Sequence, residues 1–399
     1  MADAAFIESL QKNKDLRQMV VGMLAQDYSN EDWQGAMTVP PGSILDDVMT
    51  VFREETDIPL ELIAFSLFHF MSGYLLSKQV TINGQFGTSF AELWTIVLAE
   101  SGSGKSLSHD TIASCSAVKS DFPEPSSAAK FIDSFQDHNF HLMFIDEVAQ
   151  LLKNIEKKGG PLADMKKYLL CAYSNQKIER ANKVETITID TPCIGILGLN
   201  TPESFYNTIS PESLLDGFAQ RFSYVLAEPD PERSVYDNPL KYANYNIQKI
   251  KEVVQRSFDR FYELNIHDSY TVSPEALQAY TIAFASLIHK SIPISFFRRV
   301  LHRAYKYSLI YHLLLEKQTN IIDGEDVAWA CRIANKQLQD LKYLINRNEV
   351  EDMGSLLKKA QKVKERFDAA NRPFNARVLQ QNVRGLDAAS AKVLFEMLI

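Results

Sequence analysis

The chain has 399 residues, with 46% hydrophobic and 11% aromatic content, which is ample for sizeable cores and reads as a folded, soluble protein. Its 42 Lys and Arg against 50 Asp and Glu leave a formal net charge of -8. That argues against a face that coats duplex DNA, although a ring-shaped motor can confine positive charge to a channel.

The opening stretch MADAAFIESLQKNKD has no basic segment ahead of an apolar core, so it does not read as a secretory signal. Helical periodicity from Phe6 to Leu24 and the stop TVPPGS at 38–43 predict a helical appendage over 1–43. Ile58 to Leu76 is long enough to suggest a membrane span, but Glu61, Ser66, His69 and Ser72 interrupt it, and a buried amphipathic helix is expected. KQVTING and ELWTIVLAE then read as strands, the second leading into LAESGSGKS at 98–106 and a helix behind it. HLMFIDE is a further strand, KKGGP at 157–161 a surface turn, QKIERANKVETITID at 176–190 a β-hairpin turning near Asn182, and CIGILGLN another apolar strand. Strands alternating with helices predict an α/β layer with a mainly parallel sheet over 44–228. From Pro229 the pattern becomes helical, giving an all-helical domain over 229–346. Three short helical segments over 347–399 look like a winged helix without its wing. Cys115, Cys171, Cys193 and Cys331 lie far apart with no C-x-x-C pair, which fits a reducing cytoplasm better than a zinc ribbon or a disulfide framework.

SGSGKS between a strand and a helix predicts a phosphate-binding loop, because glycines let successive backbone N–H groups converge on phosphate oxygens at a helix N-terminus. The amides from Ser101, Gly102, Ser103 and Gly104 through Lys105, Ser106 and Leu107 would hold phosphates, and Lys105 would reach the β and γ positions. Ala99 stands where the G-x-x-x-x-G-K-[ST] pattern has its first glycine, a tolerable departure if the position does not need positive φ. Asp146 and Glu147, driven to the C-terminal end of a buried strand, are candidates for holding Mg²⁺ with Ser106 and for polarising the attacking water, respectively. Asn200 could orient that water, and Arg221 could complete a neighbouring subunit's site by stabilising the transferring phosphoryl group. His138 and His141 have metal-like spacing, but no third ligand is near in sequence and they read as structural.

Taken in order, these segments resemble the AAA+ ATPases, and among them the hairpin-bearing branch that includes MCM and superfamily 3 replicative helicases. The matching residues are Ala99 to Ser106, Asp146 and Glu147, the hairpin Gln176 to Asp190, Asn200, and Arg221 within LLDGFAQRF. SFFRRVLHRAYKYSL and IIDGEDVAWA look like the lid of such ATPases, with Arg299 and Arg303 both candidates for a nucleotide-sensing arginine and Arg298 a weaker one. NTPE at 200–203 and GFAQRF at 217–222 are also similar to an uncharacterised P-loop family of bacteria, phages and mobile elements often found beside primase domains. The resemblance implies an AAA+-type P-loop NTPase with an all-helical lid and a truncated winged-helix-like end. It implies ATP and Mg²⁺ as cofactors, a homo-hexameric ring, single-stranded DNA gripped by Lys177, Arg180 and Lys183, a primase as a possible partner, and no membrane. The expected activity is that of a replicative helicase. Its rivals are an ATPase that loads or remodels protein partners, as a loader or defence ATPase does, and a RecA-like DNA ATPase.

Overall fold

Strands covered by helices on both faces must be apolar on both faces. In the computed structural model of the chain, the runs at 94–99 and 193–200 form strands buried at every position. The structure describes residues 4–25, 39–84, 87–135, 138–157, 159–181, 186–209, 217–228, 246–288, 292–369, 372–383, 391, 392, 395, 396 and 398.

In chain order the elements are α1 (Ala4–Ala25), α2 (Ile44–Glu55), α3 (Leu60–Ser77), β1 (Thr81–Gly84), β2 (Gly87–Phe90), β3 (Trp94–Ala99), α4 (Lys105–Cys115) and α5 (Ala128–Asp133). Next come β4 (Phe140–Ile145), α6 (Val148–Glu156), α7 (Met165–Tyr173), β5 (Ile178–Ala181), β6 (Thr186–Ile189), β7 (Cys193–Asn200) and α8 (Pro202–Thr208). A 3₁₀ turn at Ala219–Arg221 leads to β8 (Ser223–Ala227), followed by α9 (Ile247–Glu263), β9 (Ser269–Val272), α10 (Pro274–Leu287), α11 (Ile294–Leu314), β10 (Ile321–Ile322), α12 (Gly324–Ala369) and α13 (Ala376–Asn382).

The central sheet has the order β4-β7-β3-β8 and is parallel throughout, so the expected α/β layer is present. α3 packs against it with every residue buried except Tyr74 and Ser77. It is therefore apolar on all sides rather than amphipathic, and although it is long and apolar enough to cross a membrane, it is a core helix here.

Two departures from the expected domain plan follow from short strands that periodicity does not reveal. β9 and β10 lie within the region expected to be all-helical, and they join β1 and β2 in a mixed sheet of order β10-β9-β1-β2. That sheet crosses the expected boundary at 228/229, and the chain divides instead into the compact units Met1–Leu341 and Lys342–Ile399. α1 likewise belongs to the first unit: it packs on α10, with Leu16 and Val20 buried. The segment from Met353, expected as a separate helix, continues α12 without a break. Within Lys342–Ile399, Ala360, Leu379, Val383 and Ala391 form a small core with Phe374 and Phe395 packed against it.

Two buried charge clusters tie helices to the central sheet. Glu92, just before β3, is ion-paired with Lys306 of α11, and both side chains are almost fully buried. Lys336 of α12 lies 3.4 Å from Glu61 of α3 and 3.2 Å from Asp340, and it donates to the Leu226 carbonyl of β8 at 3.1 Å. Asp340 also accepts the Leu226 N–H at 2.9 Å, whereas Glu61 Oε2 is buried without a hydrogen-bond partner. One lysine between two buried acids compensates Glu61 incompletely, and burial pushes its carboxyl up to about 7 despite Lys336. The folded state then binds more protons than the unfolded one between about pH 4.5 and pH 7, so this group makes stability fall as pH rises through that window. Denaturant melts across it are expected to show a shallower fall for Glu61→Gln than for the parent chain.

Candidate functional site

The parallel register brings three strand ends to one edge of the central sheet. Leu98 of β3 lies opposite Asn200 of β7, and Ile145 of β4 lies opposite Gly198. The loop after β3 and the acids after β4 therefore emerge at nearly the same level, about 10 Å apart across the interposed β7 at ~4.8 Å per strand.

Ala99 is the last residue of β3, paired with Ala227, and is not among the residues with positive φ. Glycine is thus not required there. Gly102 and Gly104 both have φ of +80°, the left-handed region where a side chain is strained, and Gly104 caps α4. The loop leads into the positive end of the α4 dipole, and within it the Ser103 N–H donates to the Glu100 carbonyl at 3.3 Å. The Ser103 hydroxyl is buried inside it and has no hydrogen-bond partner among the described residues. Lys105 Nζ donates to the Ala99 and Glu100 carbonyls at 3.0 and 2.8 Å, folding over the loop. Burial pulls the Lys105 pKa below the ordinary lysine value, while Asp146, Glu100 and Glu147 oppose that shift. Those interactions put the ammonium in the field of both candidate acids. Ser106 is exposed in the first turn of α4.

Asp146 and Glu147 are exposed at the end of β4, and the Glu147 N–H donates to Asp146 Oδ1 at 3.1 Å. Glu147 has φ 56° and ψ 47°, left-handed for a residue with a Cβ, a conformation that costs on the order of 1–3 kcal/mol and is characteristic of functional sites. Two contacts impose this turn. Gly198 leaves room for Val148, since a Cβ at 198 would fall 2.7 Å from the Val148 Cβ. Asn200, fully buried, accepts the Ala149 N–H at 3.2 Å and donates to the Thr201 carbonyl at 3.0 Å. In this conformation the Asn200 amide fixes the start of α6 rather than facing a water.

Arg221 lies elsewhere. Ser223 pairs with Thr95, so the 3₁₀ turn before it sits at the opposite edge of the sheet from the loop, about 20 Å away at ~3.3 Å per residue. There Arg221 donates to the Gly217 carbonyl and stacks over the Tyr173 ring at 5.3 Å. It cannot serve its own chain's loop from that position. Arg303, expected as a nucleotide sensor, is 1% exposed and donates to the Arg221 and Gln220 carbonyls at 2.8 and 3.3 Å, so it fastens this turn and does not face the loop. Arg299 is half-buried and Arg298 exposed on α11.

The hairpin strands form as expected: β5 and β6 pair antiparallel, with Ile178 opposite Ile189 and Arg180 opposite Ile187. Its turn, with Lys183, lies outside the described residues. The stretch Gln176 to Asp190 carries three basic and three acidic residues, and Lys177 is paired with Glu179 at 2.5 Å. Its charge is therefore balanced, not basic.

Sequence reasoning missed Glu100 and Tyr173. Glu100 occupies an unspecified position of the loop motif and enters through its backbone carbonyl and charge beside Lys105, while Tyr173 lies in no motif and enters through the stacking of Arg221 on its ring. No protein-family model matches the chain, and a search of curated proteins returns no match.

Proposed function

We propose that this chain is an ATP hydrolase of the AAA+ type, with a P-loop core, a lid and a winged-helix-like end, that works as a ring-forming motor on single-stranded DNA. The observation that carries the ATPase reading is the Gly102–Gly104 loop, with its buried unpartnered Ser103 hydroxyl, level with Asp146 and Glu147 across one interposed strand. Such a cradle fits a triphosphate, and exposed acids beside it would repel the phosphates unless a divalent cation intervened. Amides from Ser101 to Leu107 and the Lys105 ammonium would hold ATP; Ser106 and Asp146 would hold Mg²⁺, both being hard oxygen donors. When bound, Mg²⁺ supplies charge neutralisation of the phosphate oxygens. Glu147 accepts the proton of the attacking water, while Asn200 and Gly198 keep the acid turn in place. Arg221, too far from its own loop, would act on that of a neighbouring subunit, which supports a head-to-tail ring in the cytoplasm.

The balanced charge of the hairpin favours a second reading, an ATPase of the same type that remodels or loads protein partners. Phosphate release from ATP with Mg²⁺, measured with and without single-stranded DNA, separates the two. The motor reading expects DNA to stimulate turnover and Lys183→Glu to remove the stimulation while basal turnover persists. Turnover indifferent to DNA selects the second reading, and absence of turnover under both conditions removes the ATPase itself.

A further inference from the structure

The sequence offers two histidines without a third ligand; the fold supplies one. Asp121, from the connection between α4 and α5, meets His138 and His141 at the start of β4, five residues along the strand from Asp146 and at the opposite edge of the sheet from the phosphate loop. His141 Nδ1 is 2.9 Å and His138 Nε2 3.2 Å from the same oxygen, Asp121 Oδ2, and the three donor atoms all lie within 4.8 Å of one another. Ligand atoms of a tetrahedral zinc ion, at 2.0–2.1 Å from the metal, stand about 3.3 Å apart. The two spacings to Asp121 Oδ2, 2.9 and 3.2 Å, are close to that value.

The surroundings orient the donors. His141 Nε2 lies 2.8 Å from the His138 carbonyl, which can only accept, so this nitrogen carries a hydrogen and Nδ1 of the neutral ring turns its lone pair toward Asp121. A lone pair and a carboxylate oxygen at 2.9 Å repel unless a cation, a proton or a metal ion, sits between them. The Leu142 N–H donates to Asp121 Oδ1 at 3.2 Å and fixes the carboxylate. The His141 ring is held edge-on by Phe122 and Phe135 at 5.0 and 5.1 Å. His138 and Asp121 are 51% and 39% exposed, and a cavity of about 210 Å³ beside them gives a path from solvent and room for water on the metal.

We infer that Asp121, His138 and His141 form a divalent transition-metal site, of the class that binds zinc, with water completing the coordination. Two imidazoles and one carboxylate suit zinc better than magnesium or calcium, which prefer all-oxygen sets. Bound there, the ion joins the segment after α4 to the first strand residues of β4, so its effect is on stability and not on the phosphate loop.

The test is calorimetric titration of Zn²⁺ into the full chain, with melting temperature read alongside. The expected result is one saturable Zn²⁺ per chain and a melting temperature raised by the ion. Both should be retained in Asp146→Asn, which separates this site from any metal held beside the phosphate loop. His138→Ala removes a half-exposed ring and keeps the backbone carbonyl that orients His141, so it should fold normally and lose roughly ten-fold or more in affinity, as should Asp121→Asn. Absence of saturable binding by the parent chain, or equal binding by folded His138→Ala, overturns the inference and leaves a proton as the cation between His141 and Asp121.

Discussion

Lys105→Ala is expected to lower ATP turnover by about two orders of magnitude or more, the loss typical of removing a charged stabiliser of the transferring phosphoryl group. In the described conformation the Lys105 ammonium donates to the Ala99 and Glu100 carbonyls where β3 ends and the loop begins, so the fold itself should survive its loss. ATP affinity should fall with turnover, because under the proposed function the ammonium would contact the nucleotide before and during transfer. Glu147→Gln makes the contrast. It keeps the shape of the acid turn and the Glu147 N–H bond to Asp146, so ATP binding should persist while turnover collapses. Equilibrium binding of a fluorescent ATP analogue and steady-state phosphate release resolve the two patterns. If Glu147→Gln retained full turnover, the assignment of the water-activating acid would be wrong.

The largest effect on stability is expected from Lys306→Met. Burial raises the Glu92 carboxyl above its ordinary range, and the Lys306 ion pair opposes that rise; Lys306, in turn, is held protonated by Glu92 against its own burial. Removing the lysine alone leaves a buried acid without its counter-charge, at a cost of about 3–5 kcal/mol near neutral pH. The cost should shrink as pH is lowered, because a protonated Glu92 needs no partner. The double variant Glu92→Gln with Lys306→Met, which removes both charges, should recover most of the loss. Urea denaturation of the parent, single and double variants measures this, and a double variant as unstable as Lys306→Met would show that packing rather than charge is responsible.

Much of the central sheet could be read from residues alone. Trp94–Ala99 and Cys193–Asn200 are long apolar runs with turn chemistry at their ends, and a strand buried on both faces has no other composition available. The loop glycines were legible because positive φ leaves few alternatives to glycine. What the residues did not reveal depends on register and on distant partners. Thr81–Gly84 falls in a stretch legible as a strand, but nothing local marks Ser269–Val272 as its neighbour, since those four residues carry too little pattern to separate a strand from a turn. The sheet that crosses the expected boundary at 228/229 is hidden from the sequence for that reason. The Arg303 assignment shows the same limit: an arginine on a helix reads alike whether it faces a ligand or, as here, the carbonyls of Gln220 and Arg221. Asp121 is seventeen positions from His138, and only the path of the chain brings them together.

The seating of Arg221 has a consequence for assembly. Its guanidinium is already engaged within its own chain, by the Gly217 carbonyl and the Tyr173 ring, while Lys306 lies 5.4 Å from the same ring. A neighbour that recruits Arg221 must compete with that internal berth, so association and release of the arginine become one linked equilibrium. In a ring of the proposed kind the linkage would be reciprocal: whatever loosened the hold of Tyr173 would favour assembly, and whatever strengthened it would oppose assembly. Tyr173 would then act as a latch on oligomerisation, set by a single aromatic face far from the phosphate loop.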